Sequence, residues 1–269
     1  MPVYWFALSQ VQHIDWLRAL LVFVILHLLV YPASNGYNSY MDRDTGSIGG
    51  VKNPMQPTKQ LFIVTMILDL LALSLSLVIG WLFTLGIFLY IVASKAYSWR
   101  AIRLKQYPFI GYLTVVLFQG AVTFFLVYHG SDISRSTDVP FLAMLAASLL
   151  IGGLYPLTQI YQHDDDRHDG VKTISIVMGY RGTFIFTGIV YALAIGTLGI
   201  YFNALHSMDR FFIFLGFMLP VMVYYLLWIS KVWSNYKEAN YVNTMRMNVI
   251  ASVCTNLGFI TLLIMHLNE

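Results

Sequence analysis

The sequence predicts an all-α protein, a bundle of helices that crosses a membrane several times. Three observations predict it: 58% of the 269 residues are hydrophobic, only 11% are charged, and the mean hydropathy is +0.67. Soluble domains are about 45–50% apolar and about 25% charged, so a soluble fold of this length could not bury so much apolar surface. The composition excludes a soluble enzyme and a disordered chain. The single Cys254 excludes a scaffold held by internal disulfides.

Eight apolar segments are long enough, or nearly so, to cross a hydrocarbon core that takes about 20 helical residues. They are Trp16–Tyr31, Leu61–Ile79, Gly80–Ala93, Phe109–Tyr128, Pro140–Leu157, Thr183–Phe202, Phe211–Val232 and Asn248–His266. The third is short. Residues Pro2–Val11 are too short to span and follow no basic residue, so they resemble the end of a ninth helix rather than a signal peptide. We expect one transmembrane domain over residues 1–269, with eight full spans and a partial N-terminal helix.

The basic residues predict which side of the membrane each loop occupies. Of the 16 Lys and Arg, thirteen lie in or beside four alternate connecting segments, and only Arg18, Arg135 and Arg210 lie in the others. Because cytoplasmic loops are rich in Lys and Arg, we expect the four basic segments in the cytoplasm and the protein in a bacterial inner membrane. The net charge of +3 is too small to indicate nucleic-acid binding.

Two of the basic segments, residues 35–54 and residues 161–173, also carry clusters of acidic and amide side chains. In the first, Asn38 and Asp42 are four residues apart and therefore share one face of a helix. The second contains four aspartates, with Gln162 four residues before Asp166. Asp165 and Asp169 are also four residues apart.

Hard oxygen ligands at this spacing suit Mg²⁺, which binds a few carboxylates and completes its shell with water and substrate phosphates. Two such clusters facing each other would hold Mg²⁺ ions around a diphosphate, and nearby Lys and Arg would neutralise the remaining charge. The alternative is that both loops are merely solvated and balance their basic neighbours. Two clusters on one predicted membrane face favour the metal site.

The order of motifs resembles that of the UbiA superfamily, the intramembrane prenyltransferases. The first cluster resembles the family motif N-D-x-x-D-x-x-x-D, although Ser39 and Gly46 replace two of its aspartates. The second resembles D-x-x-x-D-x-x-x-G-x-K-T, with Gln162 at its first position and Asp166 at its second. Between them, YSWRAIRLKQYPFIG (residues 97–111) resembles the connecting loop of the family.

The resemblance implies a nine-helix bundle with a central cavity open to lipid. It also implies Mg²⁺-dependent transfer of an isoprenyl group from an allylic isoprenyl diphosphate to a hydrophobic acceptor, either aromatic or lipid. The residues to which it gives catalytic roles are Asp42, Asp166, Lys105 and Lys172. The residues to which it gives metal-binding roles are Asn38, Asp42, Asp44, Asp164, Asp165 and Asp166. The cations predicted to bind the diphosphate are Arg103, Lys105, Lys172, Arg43 and Lys52. The residues predicted to line the substrate pocket are Tyr97 and Tyr161.

Two other functions remain open at this point. The altered motif positions are compatible with a degenerate family member that binds an isoprenoid lipid without efficient turnover. An ion-coupled transporter would instead place charges or helix breaks near the middle of paired spans. Here the charges crowd one predicted face, and Asp69 is the exception within a span, which favours the enzyme. The sequence gives no prediction of the oligomeric state.

Overall fold

The structure, a computed structural model, describes residues 1–43, 47 and 50–268. Within these residues all regular secondary structure is helical, apart from one isolated bridge between Ile14 and Asp132. Asp44 and Gly46, which belong to the first motif of the sequence, lie outside the described residues. The all-α prediction is confirmed.

The described residues form nine helices, of which α2 to α9 are long and apolar enough to cross a membrane. Their bounds are α1 Pro2–Leu8, α2 Trp16–Asp42, α3 Lys59–Ile79, α4 Trp81–Ser98, α5 Pro108–Ser131, α6 Phe141–His168, α7 Ile174–Ala204, α8 Met208–Ser234 and α9 Tyr241–Leu267. Helix α6 contains a 3-10 turn, Ile160–Gln162, and helices α2 and α5 contain π-helical turns at Val24–Val30 and Val116–Val122. Eight spans and a short N-terminal helix were predicted, and both are present.

Helix α2 is longer than the apolar span that the sequence predicted, because it continues through a polar stretch to Asp42. The polar side chains of this stretch find partners on α4. Ser34 and Ser94 share a hydrogen bond of 2.6 Å, and the Ser98 hydroxyl donates to Asn38 Oδ1 over 2.6 Å. Because these groups are satisfied inside the bundle, the helix does not need apolar residues at these positions.

Helix α4 also extends further than predicted, to Ser98 instead of Ala93. Gly80, with a φ of 149° that favours glycine, separates it from α3. Lys95 lies in the extension, and its Nζ is 2.6 Å from a carboxylate oxygen of Asp69 on α3. A charge with such a partner can remain inside a membrane-embedded helix, and the apolar pattern alone did not foresee it.

The short helix α1 packs inside the bundle. The Phe6 ring stacks on Phe259 of α9, with 4.4 Å between centroids, and meets Phe124 of α5 edge-on at 5.4 Å. These three side chains are fully buried, whereas outward-facing residues of the spans, such as Leu17, are apolar and exposed. Apolar side chains both inside and outside are expected of helices surrounded by lipid.

The helix ends form two groups. At the motif end, α2 and α4 finish, α5 starts, and α6 finishes, so the two acidic segments and residues 99–107 lie together. At the opposite end, the segment before α2 is tied to the segment after α5. The Asp15 N–H donates to the Ser131 carbonyl over 2.8 Å, and Arg18 donates to the Ile133 carbonyl over 3.0 Å.

Candidate functional site

A polar cavity of about 410 Å³ lies at the motif end between α2, α4, α5, α6 and α9. Its described lining includes seven serine or threonine side chains, six amide side chains and four tyrosines, against five apolar side chains. Its charged lining residues, among those described, are Asp42, Lys105, Asp165, Asp166 and Asp169. The cavity therefore suits the polar head of a substrate whose apolar part lies in the membrane.

The first acidic segment contributes the wall formed by α2. Asp42 is the last residue of this helix and is buried, and its carboxylate forms an ion pair with Lys105. Arg103 Nη2 lies 3.8 Å from Asp42 Oδ1. Asn38, one turn earlier on the same face, is held by the Ser98 hydroxyl. The predicted pairing of Asn38 and Asp42 on one helical face therefore places both on the cavity.

The second acidic segment forms the facing wall at the end of α6. Asp165, Asp166 and Asp169 line the cavity there. Asp169 forms an ion pair with Arg103, which also donates to the Asp169 carbonyl oxygen over 3.1 Å. Because Arg103 reaches toward Asp42 as well, one guanidinium group bridges the two acidic segments.

The loop between α4 and α5 carries both cations. Arg103 has a left-handed backbone conformation, with φ of 48°, and a 3-10 turn that contains Lys105 follows it. Gly111 of α5 packs against this turn, where an added Cβ would lie 3.1 Å from the Lys105 Cα. Arg100 donates to the Met41 carbonyl over 2.8 Å and so ties the loop to α2. These contacts fix the two cations relative to the carboxylates.

Both predicted pocket tyrosines line the cavity. The Tyr97 hydroxyl is hydrogen-bonded to the Tyr155 hydroxyl, which accepts a further bond of 2.9 Å from the Gln159 amide. The Tyr161 ring meets Tyr241 of α9 edge-on at 5.3 Å. The hydroxyl chain and the ring contact fix both aromatic groups at the cavity wall.

The structure does not bring four predicted residues to the cavity. Asp164 pairs with Arg167 at 3.2 Å, and its side chain is 85% exposed. Arg43 lies over the Tyr40 ring at 6.0 Å. Lys52 and Lys172 are exposed and do not line the cavity. For Asp164 the physical reason is helical periodicity, since consecutive helical residues point to different sides. Arg43, Lys52 and Lys172 lie outside the helices, so helical spacing does not direct their side chains.

Asp169 is the site residue that sequence reasoning did not select. Its spacing of four residues from Asp165 was a usable signal, since it repeats the spacing of Asn38 and Asp42. The motif register that has Asp166 at its second position leaves Asp169 outside the matched positions. In the structure Asp165, Asp166 and Asp169 all line the cavity, whereas Lys172 does not.

The donor set fits Mg²⁺ shared with a substrate. Among the described residues no three acidic or histidine side chains are close enough to hold a metal ion by themselves. Mg²⁺ is usually bound by only one or two carboxylates, together with waters and substrate phosphates. Carboxylate and amide oxygens on two facing walls of one cavity meet that requirement, whereas a closed protein cage would not leave room for a diphosphate.

Comparisons with known proteins agree with the motifs. The model of the UbiA prenyltransferase family matches residues 1–250 of this chain. A curated relative, the digeranylgeranylglyceryl phosphate synthase of Pyrococcus horikoshii, is 26% identical over 182 residues. This match covers 64% of the chain and 62% of the synthase, so the chain spans less than two thirds of that relative's length.

Solved structures of UbiA homologues share the fold. The homologue from Archaeoglobus fulgidus bound to Cd²⁺ aligns with a TM-score of 0.68 at 16% identity, over 97% of this chain and 94% of that one. The same homologue bound to GPP and Mg²⁺ aligns with a TM-score of 0.63 at 16% identity, with the same coverage. At such low identity the likeness shows the fold alone.

Proposed function

Because the chain belongs to the UbiA prenyltransferase family, we propose that it transfers an isoprenyl group from an allylic isoprenyl diphosphate to an aromatic or lipid acceptor. The observation that supports this most is that Asp42, Asp165 and Asp166, from two helices, line the same cavity. The diphosphate would lie at the motif end and the hydrocarbon chain among the apolar spans. Residues 1–269 would act as one domain.

Asn38, Asp42, Asp165 and Asp166 would hold Mg²⁺ against the diphosphate. Bound Mg²⁺ supplies stabilisation of the negative charge that develops on the diphosphate leaving group. The complex of the Archaeoglobus fulgidus homologue with GPP and Mg²⁺ supports this cofactor. Asp164 would contribute charge near the site instead of a ligand, since it is paired and exposed.

Lys105 and Arg103 would bind the diphosphate oxygens. Both have carboxylate partners in the structure, so substrate binding would exchange one anionic partner for another. Cations already oriented toward the place where charge develops need little reorganisation in the transition state. Lys172, Arg43 and Lys52 would raise the positive potential near the mouth of the cavity.

Ionisation of the donor would leave an allylic cation, which the rings of Tyr97 and Tyr161 would stabilise by roughly 0.5–2 kcal/mol each. Surrounding apolar helices would exclude the bulk water that otherwise captures such a cation. A synthase of a glyceryl phosphate lipid is among the relatives, which supports a lipid acceptor beside the aromatic ones.

The protein would sit in a bacterial inner membrane with its motif end in the cytoplasm. Thirteen of the 16 basic residues lie in or beside the segments of that end, as the excess of Lys and Arg in cytoplasmic loops predicts. Soluble isoprenyl diphosphate would then reach the carboxylates from the side on which they lie.

The test is turnover by the purified protein in lipid nanodiscs with labelled isoprenyl diphosphates, Mg²⁺ and a panel of acceptors. We expect diphosphate release that EDTA abolishes and that Asp42→Ala or Asp166→Ala reduces strongly. Asp138→Ala, at the opposite end, is the matched control and should retain activity. Tight diphosphate binding without turnover would support the degenerate alternative, and ion flux in proteoliposomes would support the transporter.

A further inference from the structure

A buried histidine anchors the last turn of α6, the turn that carries the second acidic segment. His163 is only 1% exposed, whereas Asp164 and Asp165 beside it are exposed. Its Nε2 lies 2.7 Å from the hydroxyl of Ser175, in the first turn of α7. The Tyr180 ring stacks on the imidazole, with 4.8 Å between the ring centroids. The hydrogen bond fixes the direction of the imidazole, and the stacking fixes its plane.

The hydrogen bond of His163 continues into a buried network on α7. The Ser175 and Thr183 hydroxyls are 3.0 Å apart, and the Thr183 hydroxyl donates to backbone carbonyls, at 2.8 Å to Gly179 and at 3.2 Å to Ser175. Because a hydroxyl has one proton, Thr183 accepts from Ser175, and Ser175 accepts from His163. The donated proton of His163 is therefore assigned to Nε2. The network runs in one direction, from the imidazole through both hydroxyls to the backbone of α7.

The backbone at Gly179 explains why α7 needs this network. Its φ of 66° and ψ of 177° are not helical, so the first turn, residues 174–178, is not continuous with the rest of the helix. The hydroxyls of Ser175 and Thr183 join the two parts across this break. The position of the first turn therefore depends on side-chain hydrogen bonds, and His163 extends them to α6.

The bond between His163 and Ser175 also closes a loop that contains the proposed metal ligands of this segment. The two residues are twelve positions apart, and all three carboxylates of the segment that line the cavity lie between them. Tying the ends of a loop reduces the conformations open to the residues inside it. Within the loop, the Val171 N–H donates to the Asp166 carbonyl over 2.8 Å. The backbone that carries Asp166 is therefore restrained by a bond at the ends of the loop and by one inside it.

His163 is a costly residue for the interior of an apolar bundle. Its Nδ1 is buried and has no hydrogen-bond partner among the described residues. An unpartnered buried acceptor lowers stability, and an apolar side chain at this position would avoid that cost. Removal of the imidazole would leave no donor unsatisfied, because Ser175 would still donate to Thr183. The histidine therefore contributes a directed contact and little net stability.

Neither His163 nor Ser175 lines the motif-end cavity, so both act on it only through the backbone between them. Both also stand outside the fixed positions of the second motif. We propose that His163 is a positioning residue, which acts through Ser175 to hold the carboxylates of the second acidic segment where they bind the metal ion and the diphosphate. This inference rests on the proposed function and adds to it a residue that the motif does not specify.

The first test measures ligand binding without turnover. The purified protein in lipid nanodiscs is dialysed against radiolabelled inorganic diphosphate in the presence of Mg²⁺. We expect His163→Leu to raise the dissociation constant about tenfold, the equivalent of one lost hydrogen bond. His163→Gln, whose side-chain amide can donate to Ser175, should stay within about threefold of the wild type. His168→Leu, at an exposed histidine of the same turn, is the matched control and should bind as the wild type does.

The second test separates positioning from folding. Thermal unfolding of His163→Leu should lie within about 2 °C of the wild type, because the bond between Ser175 and Thr183 remains. Ser175→Ala should weaken diphosphate binding as His163→Leu does, and the double variant should bind no more weakly than either single variant, since both changes break one contact. Additive losses in the double variant overturn the inference. A lower unfolding temperature with unchanged diphosphate binding by the folded protein would show a merely structural role and overturn it as well.

The third test reports the order of the segment when no ligand is present. Arg167 and Lys172, where trypsin can cut inside the loop, are both exposed. Cleavage there should be about tenfold faster in His163→Leu than in the wild type, His163→Gln and His168→Leu, because local opening admits the protease. Equal cleavage rates in all four proteins contradict the inference. If the wild type binds no diphosphate while His163→Leu is still cleaved faster, the proposed function fails and the positioning of the segment by His163 stands.

Discussion

Carboxylates stand at both ends of the bundle, and their hydrogen-bond partners differ. At the opposite end, Asp132 accepts bonds from the backbone N–H groups of Ser134 and Ser136 at 3.1 and 3.0 Å. Asp15 caps α2 by accepting from the Arg18 N–H at 3.0 Å. All of these donors lie within four residues of the carboxylate in sequence, so each carboxylate stabilises the turn of the backbone next to it.

At the motif end the partners come from distant parts of the chain. Asp42 pairs with Lys105 and Asp169 pairs with Arg103, across a cavity that both carboxylates line. A carboxylate saturated by its own backbone stabilises a turn and offers little to a ligand. A carboxylate paired with a cationic side chain can exchange that partner for a metal ion, and the released cation can bind a phosphate. The comparison therefore indicates a structural role for the carboxylates of the opposite end and supports the proposed ligand binding at the motif end.

The largest expected effect is the loss of activity in Asp42→Asn. This change keeps the shape of the side chain and removes the charge that would bind Mg²⁺, so kcat/KM should fall about 10³-fold, equivalent to about 4 kcal/mol. Asp132→Asn, at the opposite end, should stay within about threefold of the wild type. Steady-state rates of diphosphate release measure both, and equal losses would remove the distinction between the two ends.

The next largest effect concerns stability. It tests the ion pair between α3 and α4, which lies at neither end of the bundle. Lys95 lies 2.6 Å from Asp69 and 4.0 Å from the centre of the Tyr37 ring, with little solvent around it. Lys95→Leu should lower the free energy of unfolding by about 3 kcal/mol, because it leaves an unpaired carboxylate. The double variant Asp69→Leu/Lys95→Leu should recover most of the loss.

Unfolding in detergent, monitored by circular dichroism, measures the stability of each variant. A double variant that is no more stable than Lys95→Leu would contradict this account of the pair. The activity of the double variant, corrected for folded protein, should remain close to wild type, because neither side chain lines the cavity.

A smaller effect on catalysis is expected from Lys105→Met. The change removes the cation beside Asp42, and kcat/KM should fall about 10- to 100-fold because charge on the departing diphosphate loses one fixed partner. Lys105→Arg should restore part of the rate. Lys172→Met is the matched control: this lysine is exposed and outside the cavity, so its loss should cost less than about threefold. The same kinetic assay compares all three, and equal losses would contradict the assignment of Lys105.

The smallest effect is a pH dependence of stability at the opposite end. Burial acts to raise the pKa of Asp132, but the hydrogen bonds from Ser134 and Ser136 outweigh it, and the pKa lies below its ordinary value. A lowered folded pKa stabilises the protein above the unfolded value of about 3.9 and loses that contribution as pH falls through the folded pKa.

Asp132→Asn should therefore unfold more easily than the wild type at pH 7, by about 1 kcal/mol, and the difference should shrink as the pH falls toward the lowered pKa of the folded protein. Thermal unfolding between pH 3 and pH 7 measures the difference. Asp138→Asn, whose carboxylate is exposed, is the control and should show no such convergence. A constant difference at all pH values would show that packing, and not the charge, is responsible.

Much of the fold was predictable because apolar length and loop charge are local properties of the chain. The eight spans follow from runs of apolar residues, and the alternation of basic loops agreed with their number. The helical face shared by Asn38 and Asp42 was expected from their spacing. The error fell at the end of α4, where Lys95 stays in the helix because Asp69 of α3 neutralises it. Such pairings cannot be read from either segment alone.

The positions of the site side chains were predictable where helical spacing determines the direction in which a side chain points. They were not predictable where that direction depends on the geometry of a loop. The i, i+4 spacing of Asn38 and Asp42 placed both on the cavity. The run Asp164–Asp166 gave no such guide, since three consecutive residues cannot all face one side, and Asp164 faces solvent. The bridging position of Arg103 between two acidic segments depends on a left-handed turn that its sequence does not require.

The sequence by itself determined that this chain is a polytopic helical membrane protein with its carboxylate motifs at one end, because hydrophobic transfer and positional spacing act residue by residue. The tertiary structure decided which of those carboxylates share a cavity and which cations already neutralise them. Those outcomes depend on distances between helices that are far apart in sequence, and electrostatic and hydrogen-bond energies change steeply over a few ångströms.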